Sequence, residues 1–139
     1  MIRVTFWQGK DGNLRGFVIT GHAGYGPKGE DIICAAVSAL AQTAVLSLQE
    51  HLEPEDKEPV VSIREGNLQC LIPDGLSPAG ASTAGVILKT LEIGLQAIAS
   101  DYDKYMRMEY KEIDCSELPQ GANAPATNKE NASWGKKLE

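Results

Sequence analysis

The chain has 139 residues with 13 Lys and Arg against 19 Asp and Glu, a formal net charge of −6 at pH 7. That length suits one domain able to bury a core without staples, and the acidic balance argues against nonspecific binding to nucleic acid or an anionic membrane. Three widely spaced cysteines give no disulfide framework and point to a reducing, cytoplasmic compartment, and no apolar run approaches the ~20 residues of a membrane span.

The first segment, IRVTFWQ, alternates as a strand does and has no signal-peptide character. A turn cluster, GKDGN, follows, and residues 14–20 read as the returning strand of a hairpin. Next comes GHAGYGPKGE, the least ordinary stretch of the chain. From Asp31 the period changes. Ile33, Val37, Leu40, Ala41, Ala44 and Leu48 fall on one helical face, and Val45 and Leu52 add a second apolar edge.

Residues 60–65 and 68–73 read as two strands around Gly66-Asn67, a two-residue hairpin signal. A second helix starts within 73–82. Ala84, Ile87, Leu88, Leu91, Leu95 and Ile98 form its main stripe, and Val86, Ile93 and Ala97 a stripe beside it. Residues 105–113 are the last strand. The order β-β-α-β-β-α-β predicts an α+β two-layer sandwich, a mainly antiparallel sheet with both helices on one face. The second stripes exceed what one small sheet covers, so a homodimer is expected. Residues 1–113 form the domain, and the Ala-, Asn- and Pro-rich residues 114–139 read as a disordered polar tail.

Three chemistries suit the glycine-rich loop. Gly24 to Gly29 matches G-x-G-x-x-G, but Glu30 and Asp31 occupy the helix start that should receive a phosphate, and the preceding strand belongs to a hairpin. His22, Asp31 and Cys34 supply three donors for a metal, without a C-x-x-C or a second nearby histidine, so no metal and no other cofactor is expected. The third chemistry is nucleophilic. With Asp31 as N-cap, Cys34 lies in the first helical turn, where the dipole favours a thiolate, and the loop can fold His22 back onto it. Free first-turn amides would form an oxyanion hole, and Ser38 stands one turn further on the same side.

Each residue also has a plainer reading. A lone helical cysteine is more often core packing, His22 a turn residue and Asp31 a cap. Cys70 alternates in a strand and reads as structural, and Cys115 as incidental. Gly24, Gly26 and Gly29 give residues 23–30 the freedom of a mobile flap that closes on a peptide.

Gly21-His22-Ala23, the glycine-rich loop and the DIICAAVS run from Asp31 to Ser38 together resemble the signature of the Prp family of ribosomal-processing cysteine proteases. The likeness runs over residues 2–113 and includes the Tyr102-Asp-Lys-Tyr105 approach to the last strand. It implies a homodimeric His–Cys endopeptidase, with Cys34 as nucleophile, His22 as general base and later acid, and Asp31 and Ser38 in support. The implied substrate is large-subunit ribosomal protein twenty-seven, from which a short N-terminal extension is removed at a hydrophobic, Phe-containing sequence. No direct nucleic-acid or membrane partner is expected. The competing reading is a ribosome-associated protein whose loop binds a peptide without cutting it.

Overall fold

The computed structural model describes residues 1–26 and 31–118. Five strands and two long helices follow in the expected order: β1 (Ile2–Gln8), β2 (Leu14–Thr20), α1 (Ile32–His51), β3 (Val60–Arg64), β4 (Asn67–Leu71), α2 (Pro78–Asp101) and β5 (Met106–Glu112). The sheet is open, in the order β3-β4-β2-β1-β5. Three of its pairings are antiparallel and one, β1 with β5, is parallel. A parallel neighbour needs a crossover, and α2 makes it over the face that the core covers.

The period-2 pattern decides which face that is. Ile2, Val4 and Phe6 of β1, Phe17 of β2, Val61 of β3 and Cys70 of β4 are buried and share one cluster with Ile33, Val37, Ala41 and Leu48 of α1 and Leu88, Leu91 and Leu95 of α2. The expected two-layer sandwich is the observed one. Its largest apolar contributions come from side chains such as Phe6 and Phe17, whose rings lie 6.1 Å apart. Truncating a buried phenylalanine of this kind to alanine costs about 3–5 kcal/mol. By length and composition α1 is apolar enough to cross a membrane, unlike the expectation from the sequence. Its apolar stripe is instead spent on the sheet and α2.

The second hairpin departs from expectation by one residue. Arg64 pairs with Asn67, so the two-residue turn is Glu65-Gly66 rather than Gly66-Asn67. Gly66 takes φ 70°, the left-handed conformation that glycine adopts without strain. This register puts Ile63 opposite Leu68. α2 starts where Pro78 follows its N-cap Ser77, whose hydroxyl accepts from the Gly80 amide. Past β5 a short 3-10 helix (Cys115–Glu117) follows, and Leu118 is buried. The rest of the expected polar tail, 119–139, lies outside the described residues.

Candidate active site

At one end of the sheet, β2 runs out at Thr20 and the chain turns at Gly21, which takes φ 86°. A side chain there would strike the carbonyl oxygen of Met1, so glycine is required on two counts. His22 follows, exposed, with its ring laid against the β3–β4 turn. A β-carbon on Gly66 would sit 3.3 Å from His22 Nε2, and the Gly21 amide donates to the Gly66 carbonyl at 2.9 Å. Two residues 44 positions apart thus form one wall.

The other wall is the first turn of α1. Asp31 is its N-cap: Oδ1 accepts from the amides of Ile33 and Cys34, both at 3.0 Å, and Oδ2 accepts from the Tyr25 amide at 3.0 Å. One carboxylate therefore starts the helix and ties down the beginning of the loop. The Tyr25 ring adds a second tie, packing edge-on against Tyr105 at 5.2 Å and Tyr102 at 5.9 Å. Gly24 has φ 72°; Gly29 and the rest of the expected flap beyond Gly26 lie outside the described residues.

Between these walls is a cavity of about 170 Å³ that His22, Cys34 and Ser38 all line. Ile2, Ile19, Val37 and Ile63 give it an apolar lining, and Gln42, Arg64 and Asn67 also border it. The Ala23 amide donates to Cys34 Sγ at 3.3 Å. Among the described residues no hydrogen bond joins the His22 ring to Cys34 or to Asp31.

The electrostatics of the thiol differ from the expectation. Burial pushes the Cys34 thiol up, the Ala23 amide pulls it down, and the negative charge of Asp31 pushes it up again, so the net displacement is upward. The helix start does not offer free amides to the sulfur, because those of Ile33 and Cys34 are committed to Asp31 Oδ1 and that of Ala35 to the Asp31 carbonyl at 3.1 Å. Of the amides expected to form a first-turn oxyanion hole, those of Ile33, Cys34 and Ala35 are thus already bonded. Asp31 itself stays ionised. Burial raises its carboxyl, but the amides of Cys34 and Tyr25 outweigh that and hold it below the usual carboxylate range.

Cys70 is the contrast. It is wholly buried in β4, and burial alone pushes its thiol up to about 12. Among the described residues no three His, Cys, Asp or Glu side chains cluster as metal ligands would. The sequence reading brought His22, Asp31, Cys34 and Ser38 together; the structure places His22, Cys34 and Ser38 around one cavity, and Asp31 beside it as the cap that holds the Cys34 amide. It missed the Ala23 amide, Gln42 and the Gly66 turn. Only Gly66 left a signal, as the glycine of a tight turn.

The sequence model of the family described as "Cysteine protease Prp" matches residues 1–107. The chain is 28% identical over 110 residues to the ribosomal processing cysteine protease Prp of Bacillus subtilis (strain 168), covering 78% of this chain and 96% of that one. Two crystal structures of the essential ribosomal processing protease Prp from S. aureus are similar, each 26% identical and covering 80% of this chain and all of the other. One, with a covalently linked product peptide, superposes with a TM-score of 0.71, and one with a substrate peptide with 0.67.

Proposed function

The chain belongs to the cysteine protease Prp family, and from that premise we propose that it is a cytoplasmic endopeptidase that removes the N-terminal extension of large-subunit ribosomal protein twenty-seven. Cys34 is the nucleophile, and His22 the general base and then the general acid. The observation that carries this reading is the shared cavity: an imidazole and a thiol from different elements line one pocket, with a backbone amide aimed at the sulfur.

The raised thiol shapes the mechanism. At neutral pH Cys34 rests protonated, so the proton must leave as the sulfur attacks. His22, exposed at the mouth of the cavity, is the base available to take it, and bound peptide brings ring and thiol into reach. The sulfur adds to the scissile carbonyl and the His22 proton passes to the leaving amine. Water, deprotonated by His22, then releases the acyl group from the thioester. The Ala23 amide is the donor best placed to hold negative charge as it develops. Asp31 supports the site by holding the loop and the helix start together, and Ser38 lines the cavity one turn from the nucleophile.

The active unit is a homodimer. Val86 is 64% exposed and Ile93 57%, on a stripe that one copy leaves uncovered. Beside them Leu40, Ala44, Ile87 and Leu91 line an apolar groove of about 190 Å³. Light scattering gives twice the monomer mass if this is right, and Val86→Glu with Ile93→Lys returns it to the monomer.

The test of the activity is incubation with a synthetic peptide that spans the extension and the first residues of the mature ribosomal protein, read by mass spectrometry. The expected result is a single cut by the wild type and none by Cys34→Ala. Binding without cleavage by the wild type replaces this reading with that of a peptide-binding protein.

A further inference from the structure

The donor on Cys34 Sγ is a backbone amide, that of Ala23, and part of what holds it in place lies two residues further on. Upstream its peptide unit is fixed. The Gly21 amide bonds the Gly66 carbonyl at 2.9 Å, and the His22 carbonyl accepts from the amino group of Met1. Downstream stands Gly24, at φ 72°, where a β-carbon would meet nothing within 4 Å among the described residues. A glycine without neighbours imposes no direction on the chain. The next point at which the loop is gripped is Tyr25.

Tyr25 is gripped twice. Its amide donates to Asp31 Oδ2 at 3.0 Å. Its ring meets Tyr105 at 5.2 Å between centroids and Tyr102 at 5.9 Å, with the planes 74° and 90° apart, the edge-on geometry that aromatic pairs favour. Those two tyrosines belong to the folded body. Tyr102 caps α2, its amide bonded to the Ile98 carbonyl. Tyr105 leads into β5, its amide bonded to the Tyr102 carbonyl and its carbonyl to the Ile2 amide. Main-chain bonds that do not involve Tyr25 therefore close the corner between α2 and β5. Tyr25 is 44% exposed, so its ring adds little to the core. What its contact does is pin the loop two residues from the amide on the sulfur.

We propose that Tyr25 is a positioning residue for the acyl-transfer steps: its ring, held by Tyr102 and Tyr105, keeps the Ala23 amide directed at the reacting centre. Two residues of chain reach at most about 7 Å, so a shift of Tyr25 passes to Ala23 through the unrestrained Gly24. The donor has little room for error. It stands 3.3 Å from Cys34 Sγ, and the oxyanion forms on the carbon that bonds this sulfur. A displacement of about 1 Å is enough to cost on the order of 10²-fold in rate. The Asp31 carboxylate holds the Tyr25 backbone from the side of α1, and the aromatic corner holds its ring from the side of β5. The Tyr102-Asp-Lys-Tyr105 run thereby acts on the site although neither of its rings lines the cavity.

This inference rests on the protease reading, and the experiment separates the two. kcat and KM are measured with the cleavage peptide for the wild type, Tyr25→Ala and Tyr25→Phe, together with the thermal midpoint of each. Tyr25→Ala should lose about 10–100-fold in kcat, below the cost of deleting an oxyanion donor outright, with KM within about 3-fold. Its midpoint should stay close to wild type, since the ring is half-exposed. Tyr25→Phe keeps the edge-on ring and should bring kcat back to within about 2-fold of wild type. Tyr105→Ala removes the other side of the contact, and combining it with Tyr25→Ala should add no further loss, as for two halves of one interaction. The second readout is the pH dependence of iodoacetamide labelling at Cys34. The Ala23 amide pulls this thiol down, so its displacement in Tyr25→Ala should move the rise in labelling to higher pH. A ring that served stability alone would leave that profile in place. Parental kcat in Tyr25→Ala, a loss that phenylalanine does not restore, or an unmoved labelling profile overturns the inference while the protease stands. A wild type that cuts no peptide sinks both readings together.

Discussion

Two cysteines of this chain sit in opposite kinds of place. Cys70 lies in the middle of β4, between β2 and β3, and shows no surface at all. Cys34 lies at the first turn of α1, partly open to a cavity, with an amide on its sulfur, a carboxylate near it and an imidazole on the opposite wall. Both thiols are raised by burial. The difference is that burial alone acts on Cys70, whereas Cys34 has a backbone donor on its sulfur and an imidazole in the same cavity. A cysteine becomes useful through what faces it, and a helix N-terminus alone does not activate it when a cap residue already holds the amides.

The sharpest way to break this comparison is to exchange the roles by mutation. Cys34→Ala should remove peptide cleavage to below about 10⁻⁴ of wild type, since among the described residues Cys34 is the thiol that lines the cavity. Cys70→Ala should keep cleavage within a few-fold and cost stability on the order of 1 kcal/mol, read as a lower denaturant midpoint. Comparable losses of activity in both variants would erase the distinction.

Next in size is His22, the proposed base. His22→Ala should lower kcat about 10²–10⁴-fold while the thermal midpoint stays close to wild type, because the residue is exposed and its ring lies against the Gly66 turn. Turnover near the wild-type value would take His22 out of the mechanism. A β-carbon at Gly66 presses on the same ring and strains a left-handed backbone, so Gly66→Ala should lower both stability and kcat/KM.

Alkylation sharpens the comparison further. Iodoacetamide should label Cys34 before Cys70 in the folded protein, since only Cys34 meets solvent. The rate at Cys34 should keep rising above pH 9.0, the ordinary thiol value, because its thiol is raised. Asp31→Asn should shift that rise to lower pH by removing the negative charge. Unchanged titration would remove Asp31 from the electrostatics of the site.

The smallest expected effect belongs to the buried partner. Cys70 has its folded pKa raised from 9.0 to about 12. The native state therefore holds this proton more tightly than the unfolded chain. The resulting stability is complete below pH 9.0 and is lost as pH rises toward 12. Replacing Cys70 with valine should flatten this part of the alkaline stability profile relative to wild type. Parallel profiles for the two proteins would show that Cys70 does not titrate with unfolding.

Much of this molecule is local and so was readable along the chain. β1 and β2 fall on the expected residues, because alternation reports which side of a strand is apolar. The Asp31 cap could be read because its side chain reaches amides only two and three residues on. The stripe on α1 named the buried Ile33, Val37, Ala41, Ala44 and Leu48, and the spare stripe on α2 left Val86 and Ile93 outside. The pairing of β5 with β1, the Ala23 amide on the sulfur and the meeting of Tyr25 with Tyr102 and Tyr105 were decided by the tertiary structure alone. So was the one-residue shift of the β3–β4 turn, which cross-strand pairing sets. Periodicity tells each element which face to bury but not against which neighbour. The state of the Cys34 thiol followed the same division: its place at a helix start was local, but its partners came from a loop, a cap and a distant turn that only folding brings together.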